Sequence, residues 1–80
     1  MVKEIDIRKA TGDTVRELRT SKNISQEKLA ELSSLDRSFV SEIENGIKTA
    51  SVTTLFKLCV ALETKPSQLM KLIENHFDGY

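Results

Sequence analysis

Residues 25–46, SQEKLAELSSLDRSFVSEIENG, constrain the fold more than any other stretch of the chain. Two helix starts and one helix stop are written into it. Ser25 is a good N-cap, and Glu27 lies where a helix dipole favours negative charge. Asp36 is a second N-cap. Asn45-Gly46 ends the second helix, because glycine takes the left-handed conformation at low cost. Between these signals Ser33-Ser34-Leu35 forms a turn, with Leu35 as an apolar plug. Leu29, Ala30 and Leu32 are expected to face inward, and Ala30 is small where the following helix must cross closely. Phe39, Val40 and Ile43 share one side of the second helix. Arg37, Ser38, Ser41, Glu42 and Asn45 fall on the other side at 100° per residue. Two short helices cannot bury such a surface alone, so the rest of the chain must cover their apolar side.

The flanking sequence stays helical. Ile7, Thr11, Val15 and Leu18 recur at the spacing of one helix face. Asp6 suits the cap of this first helix, after a loose arm over residues 1–5. Gly12 lies inside the pattern and costs about 1 kcal/mol relative to alanine. A start near Asp13 is therefore the alternative, and the end falls around Ser21 to Asn23. Beyond the central stretch, Ile47 to Ala50 form a loop. Ser51 caps a fourth helix with an apolar stripe of Val52, Leu55, Leu58, Cys59 and Leu62. Glu63 to Lys65 turn the chain, and Pro66 suits the first position of a fifth helix. Leu69, Met70, Ile73 and Phe77 continue the apolar pattern, while Gly79-Tyr80 are expected to fray. No β-branched alternation marks a strand. No repeat, linker or low-complexity run marks a boundary. The expectation is an all-α fold of five helices in one domain over residues 1–80.

Composition narrows the function by exclusion. Eighty residues lie near the size at which one core is marginal, so dimerisation would help. No apolar run approaches the ~20 residues that span a bilayer. The N-terminus lacks the apolar segment of a signal peptide, which points to the cytoplasm and away from membranes. A single cysteine fits a reducing cytosol, and Cys59 reads as a buried inert thiol on a core stripe. His76 has no second histidine or cysteine at ligand spacing, so no metal is expected. No glycine-rich phosphate loop or nucleophile constellation is present, and neither a cofactor nor an enzymatic activity is expected. Twelve basic and twelve acidic residues give a net charge of zero. Any nucleic-acid role must therefore rest on where charges sit.

Over residues 15–69 the chain resembles the lambda-repressor/Cro (XRE) type of helix-turn-helix domain. The matching residues are Val15-Arg16-Glu17-Leu18-Arg19, Ser25-Gln26, Leu29-Ala30, Ser41, Ile43-Glu44-Asn45-Gly46, Leu55, Leu58, Leu62 and Leu69. Within that family it is most similar to the small controller proteins of restriction–modification systems, on LDRSFVSEIENG and the Leu-Cys pair of the fourth helix. Antitoxins and small phage repressors built on the same domain are the alternative. Two positions depart from the pattern. The turn glycine is Ser34, and the proline usual before the fourth helix is Ala50.

The resemblance implies a homodimeric transcription regulator, acting as repressor or activator on a palindromic double-stranded operator. RNA polymerase is a further implied partner. Residues 25–46 would form the helix-turn-helix core and residues 52–80 the dimerisation region. In such domains the N-terminal part of the second helix reads base edges in the major groove. Arg37, Ser38 and Glu42 are the base-reading candidates, with Asp36 first a cap. Glu42 can also be an exposed charge paired with Arg37 or Lys48. Gln26, by resemblance, binds a backbone phosphate and braces the recognition helix. Lys22, Ser25, Ser41, Asn45 and Lys48 are further phosphate candidates. Arg19 and Glu44 would form a structural ion pair. Phe56, Val60, Met70, Phe77 and Tyr80 are the candidates for a dimer patch.

Overall fold

The computed structural model describes residues 2–77. Five helices follow in order: α1 Glu4–Ser21, α2 Gln26–Ser33, α3 Arg37–Glu44, α4 Val52–Ala61 and α5 Pro66–His76. No strand occurs among the described residues. Gly79 and Tyr80 lie outside them.

Local chemistry sets most boundaries. The Ser25 hydroxyl accepts from the Lys28 amide, and that of Ser51 from the Thr54 amide. Pro66 opens α5, where its missing N–H costs nothing. Gly46 follows α3 with φ of +72°. Asn23, Ser34 and Glu63 take the same left-handed backbone without glycine's freedom, with φ of 57°, 59° and 53°. At the turn after α2, the Leu35 amide reaches back to the Ala30 carbonyl at 2.9 Å. This seats Leu35 against the core.

The first helix corrects the expected start. It begins at Glu4, so the arm is shorter than residues 1–5, and neither Asp6 nor Asp13 caps it. Glu4 and Asp6 instead occupy its first turn, where the dipole favours them. Gly12 sits in mid-helix because the end of α3 lies against it. A Cβ there would collide with the carbonyl oxygens of Ile43 and Glu44. The close approach offsets the propensity cost.

Packing places α1 on α3 and α5, α2 on α3 and α4, and α4 on α5. Val15, Leu29, Ala30, Val40, Ile43, Leu58 and Leu62 form the main core. Ala10, Cys59, Leu69 and Ile73 form a second cluster, and Leu18 touches both. Ile7, Leu32, Val52 and Met70 fit the apolar periodicities but are exposed. Each stripe is wider than the contact its helix makes. On α1 the neighbours cover Ala10, Thr11, Thr14 and Val15. On α2, Ser33 rather than Leu32 is buried beside Leu29 and Ala30, and its hydroxyl donates to the Leu29 carbonyl at 2.6 Å. On α4, residues 52, 56 and 60 form a second apolar line, away from Leu58 and Cys59.

Candidate nucleic-acid interface

Helix α3 is held first by its buried end. Glu44, the last residue of α3, has a fully buried carboxylate. Arg19 of α1 donates to both of its oxygens, Nε to Oε2 at 2.7 Å and Nη2 to Oε1 at 3.0 Å. This fork satisfies both lone-pair directions and offsets much of the desolvation. The hydrogen bond to Glu44 raises the Arg19 pKa, against the opposing effect of burial. Arg19 Nη1 also donates to the Ile24 carbonyl at 2.9 Å. Gln26 Nε2 donates to Glu44 Oε1 at 3.1 Å. The Arg19–Glu44 pair thus ties α1, the turn before α2, and α2 itself to the end of α3.

Two arginines that the motifs leave without a role finish this end. Arg8 Nε donates to the Gly46 carbonyl at 3.0 Å, and Arg16 Nη2 to the Glu44 carbonyl at 2.7 Å. Carbonyls at a helix C-terminus lack intrahelical donors and carry partial negative charge, which cations offset. The sequence holds a faint signal for them. Positions 8, 12, 16 and 19 lie on one face of α1, with a glycine among arginines.

The outer face of α3 carries the sequence candidates. Arg37 and Ser38 are exposed, and Ser41 and Glu42 are half-buried. The Glu42 carboxylate pairs with neither Arg37 nor Lys48, and it makes no ion pair with any described residue. Asp36 occupies the cap position with extended backbone, but its side chain makes no capping hydrogen bond. That corrects its reading as a side-chain cap. The carboxylate is exposed, where water can replace the α3 amides as its donors, and only the Asp36 main-chain carbonyl is engaged, accepting from the Val40 amide at 3.0 Å. Among the phosphate candidates, Lys22, Ser25, Asn45 and Lys48 are exposed, and Gln26 is half-buried.

The apolar candidates divide. Phe56 and Val60 of α4 and Met70 of α5 are 54%, 77% and 53% exposed, and Val52, at 69%, lies in line with the two of α4. Phe77 is half-buried and packs on the second core cluster, because α5 ends against α1 there. Tyr80 lies outside the described residues. His76 Nε2 lies 2.8 Å from Glu17 Oε2, which links α5 to α1. No group of metal-ligating side chains occurs among the described residues.

Two short helices joined by a left-handed turn, with the second braced at its buried end and exposed along one polar face, define a helix-turn-helix. The helix-turn-helix family model matches residues 15–69, and the chain belongs to that family, as a DNA-binding transcription regulator of the lambda-repressor/Cro type. Its similarity runs to restriction–modification controllers in particular. It is 41% identical over 66 residues to Control protein C.BamHI of Bacillus amyloliquefaciens, covering 81% of this chain and 82% of that one. It is 35% identical over 66 residues to Control protein C.SmaI of Serratia marcescens, covering 82% and 79%. The crystal structure of the restriction–modification controller protein C.AhdI from Aeromonas hydrophila superposes with a TM-score of 0.76 at 45% identity, covering 78% of this chain and 94% of that one.

Proposed function

We propose that this chain binds a palindromic operator as a homodimer and controls restriction–modification genes together with its own promoter. The observation that carries the reading is the exposed start of α3, Arg37-Ser38, on a helix whose other end is locked by Glu44. A planar guanidinium fork matches guanine O6 and N7, a contact worth about 1–3 kcal/mol of discrimination. Glu42, one turn on and without an ion-pair partner, is placed to accept from cytosine N4 and to repel phosphate at wrong sequences. Gln26, Lys22, Ser25, Ser41, Asn45 and Lys48 supply backbone contacts around it.

Zero net charge gives weak nonspecific attraction, so affinity must come from few contacts used twice. Two copies about 34 Å apart on one face of the duplex double them. The exposed line of Val52, Phe56 and Val60 on α4 is the apolar surface that a second copy would cover, with exposed Met70 of α5 as a further candidate. The names of the relatives support the restriction–modification setting.

Selection of bound duplexes from random DNA tests the reading. A palindrome should emerge, and Arg37→Ala should lose the preference for it. Sedimentation should give a dimer that Val60→Glu splits. A palindrome bound equally by Arg37→Ala refutes the base-reading assignment, and a monomer at high concentration refutes the homodimer.

A further inference from the structure

Arg16 has the most exposed side chain of the three arginines around the end of α3: 44%, against 24% for Arg8 and 14% for Arg19. Besides the Glu44 carbonyl, its Nη2 donates to Asn45 Oδ1 at 3.2 Å. A guanidinium has donors only, so the amide atom that faces it must be the oxygen. That settles the orientation of the Asn45 amide. Its nitrogen then turns toward Ser41, whose Oγ lies 3.4 Å away. Residues 37, 41 and 45 share the outer line of α3. An amide nitrogen there offers a hydrogen to an anion, whereas the opposite orientation would present an oxygen and repel it. Arg16 also has two acids nearby, each shared with a closer cation, Asp13 with Lys9 and Glu44 with Arg19. Asp13 Oδ1 lies 3.7 Å from Arg16 Nη1, and Glu44 Oε1 lies 3.8 Å from Arg16 Nε.

We propose that Arg16 is a positioning residue for DNA binding. It fixes the Asn45 amide so that Nδ2 is the atom presented to a backbone phosphate. The inference rests on the reading of α3 as the DNA-facing helix. That reading fails separately if the wild-type chain binds its selected duplex no more tightly than mixed-sequence DNA.

The test is binding of the full chain to a duplex selected from random sequence, followed by fluorescence anisotropy over a range of salt. Wild type, Arg16→Gln, Asn45→Ala and the double variant are compared. Arg16→Gln should bind about tenfold more weakly, the scale of one charge-assisted hydrogen bond. Its salt slope should match wild type, because no cation leaves a phosphate. In the Asn45→Ala background the same change should cost at most about threefold, the non-additivity of two residues acting as one. A salt slope lower by about one per protomer, about two for the dimer on its duplex, would make Arg16 itself the phosphate contact and overturn the proposal. So would a full tenfold loss in the Asn45→Ala background, or no loss in either. If Arg16→Gln does not melt cooperatively, Asn45→Asp replaces it. Arg16 would hold the new carboxylate, so stability is kept, and binding should fall below that of Asn45→Ala. Binding equal to or tighter than Asn45→Ala overturns the proposal.

Discussion

Replacing Gly12 by alanine sets a local preference against a tertiary contact, and the two predict opposite signs. Alanine in mid-helix is favoured over glycine by about 1 kcal/mol. The added Cβ would stand 2.7 Å from the Glu44 carbonyl oxygen and 2.9 Å from its carbonyl carbon, and nearer still to the Ile43 oxygen. Carbon-to-oxygen contacts settle no closer than about 3.3 Å, so the end of α3 must retreat by roughly half an ångström or more. The obstructing atoms are backbone, and no rotamer change relieves them. Overpacking of this kind costs about 1–3 kcal/mol. The retreat also stretches the charge-assisted bond from Arg16 to the Glu44 carbonyl, now 2.7 Å, the class worth about 1.5–3 kcal/mol. Set against the propensity gain, Gly12→Ala should destabilise by about 2–4 kcal/mol, the tertiary terms outweighing propensity. The melting temperature should fall by more than about 10 °C. Urea denaturation followed by far-UV circular dichroism measures the difference, provided the slope is unchanged. Gly46→Ala is the informative control. Its Cβ would meet only ordinary contacts, from 3.6 Å, but at φ of +72°. Its cost should be the conformational ~1–2 kcal/mol. A Gly12→Ala chain as stable as wild type, or more so, would refute the close-approach account.

Three further outcomes are expected. Arg19→Met strands the buried Glu44 carboxylate and should cost about 3–5 kcal/mol in a denaturation experiment, with part of the loss recovered when Glu44→Leu is added. Glu63→Gly relieves a left-handed residue at an exposed turn and should stabilise by about 0.5–1 kcal/mol, read as a higher melting temperature. Burial pushes the Cys59 thiol up from its ordinary pKa. Because the folded value is the higher one, this contribution to stability is fully present below about pH 8.5 and is lost as pH rises through the folded value. A thiol reagent should therefore modify Cys59 only at the rate of unfolding, and fast labelling of the native chain would contradict its burial.

Much of the fold was legible because caps are short-range. Ser25, Ser51, Pro66 and Gly46 each act on the few backbone groups beside them, and a reader of the chain can place them without knowing the neighbours. Asp36 shows the limit, since its position was legible but its side chain, free in water, does not bond the amides. The Arg19–Glu44 fork was suggested by family resemblance, and only the fold could bring residues 25 positions apart to 2.7 Å. Periodicity, for its part, identified apolar faces but not how much of each face a neighbour covers. Ile7, Leu32, Val52 and Met70 lie outside because α3, α4 and α5 approach from particular sides.

The sequence by itself determined five helices and their order, and a polar face running along the third. Those follow from caps and spacing, which act within about one helical turn. Only the tertiary structure decided that α1 starts at Glu4 and runs unbroken through Gly12. Only the structure seated the end of α3 on Arg8, Arg16 and Arg19, and turned one apolar line of α4 to the surface. The physical reason is range: the close approach at Gly12 and the guanidinium contacts join residues at least 25 positions apart in the chain.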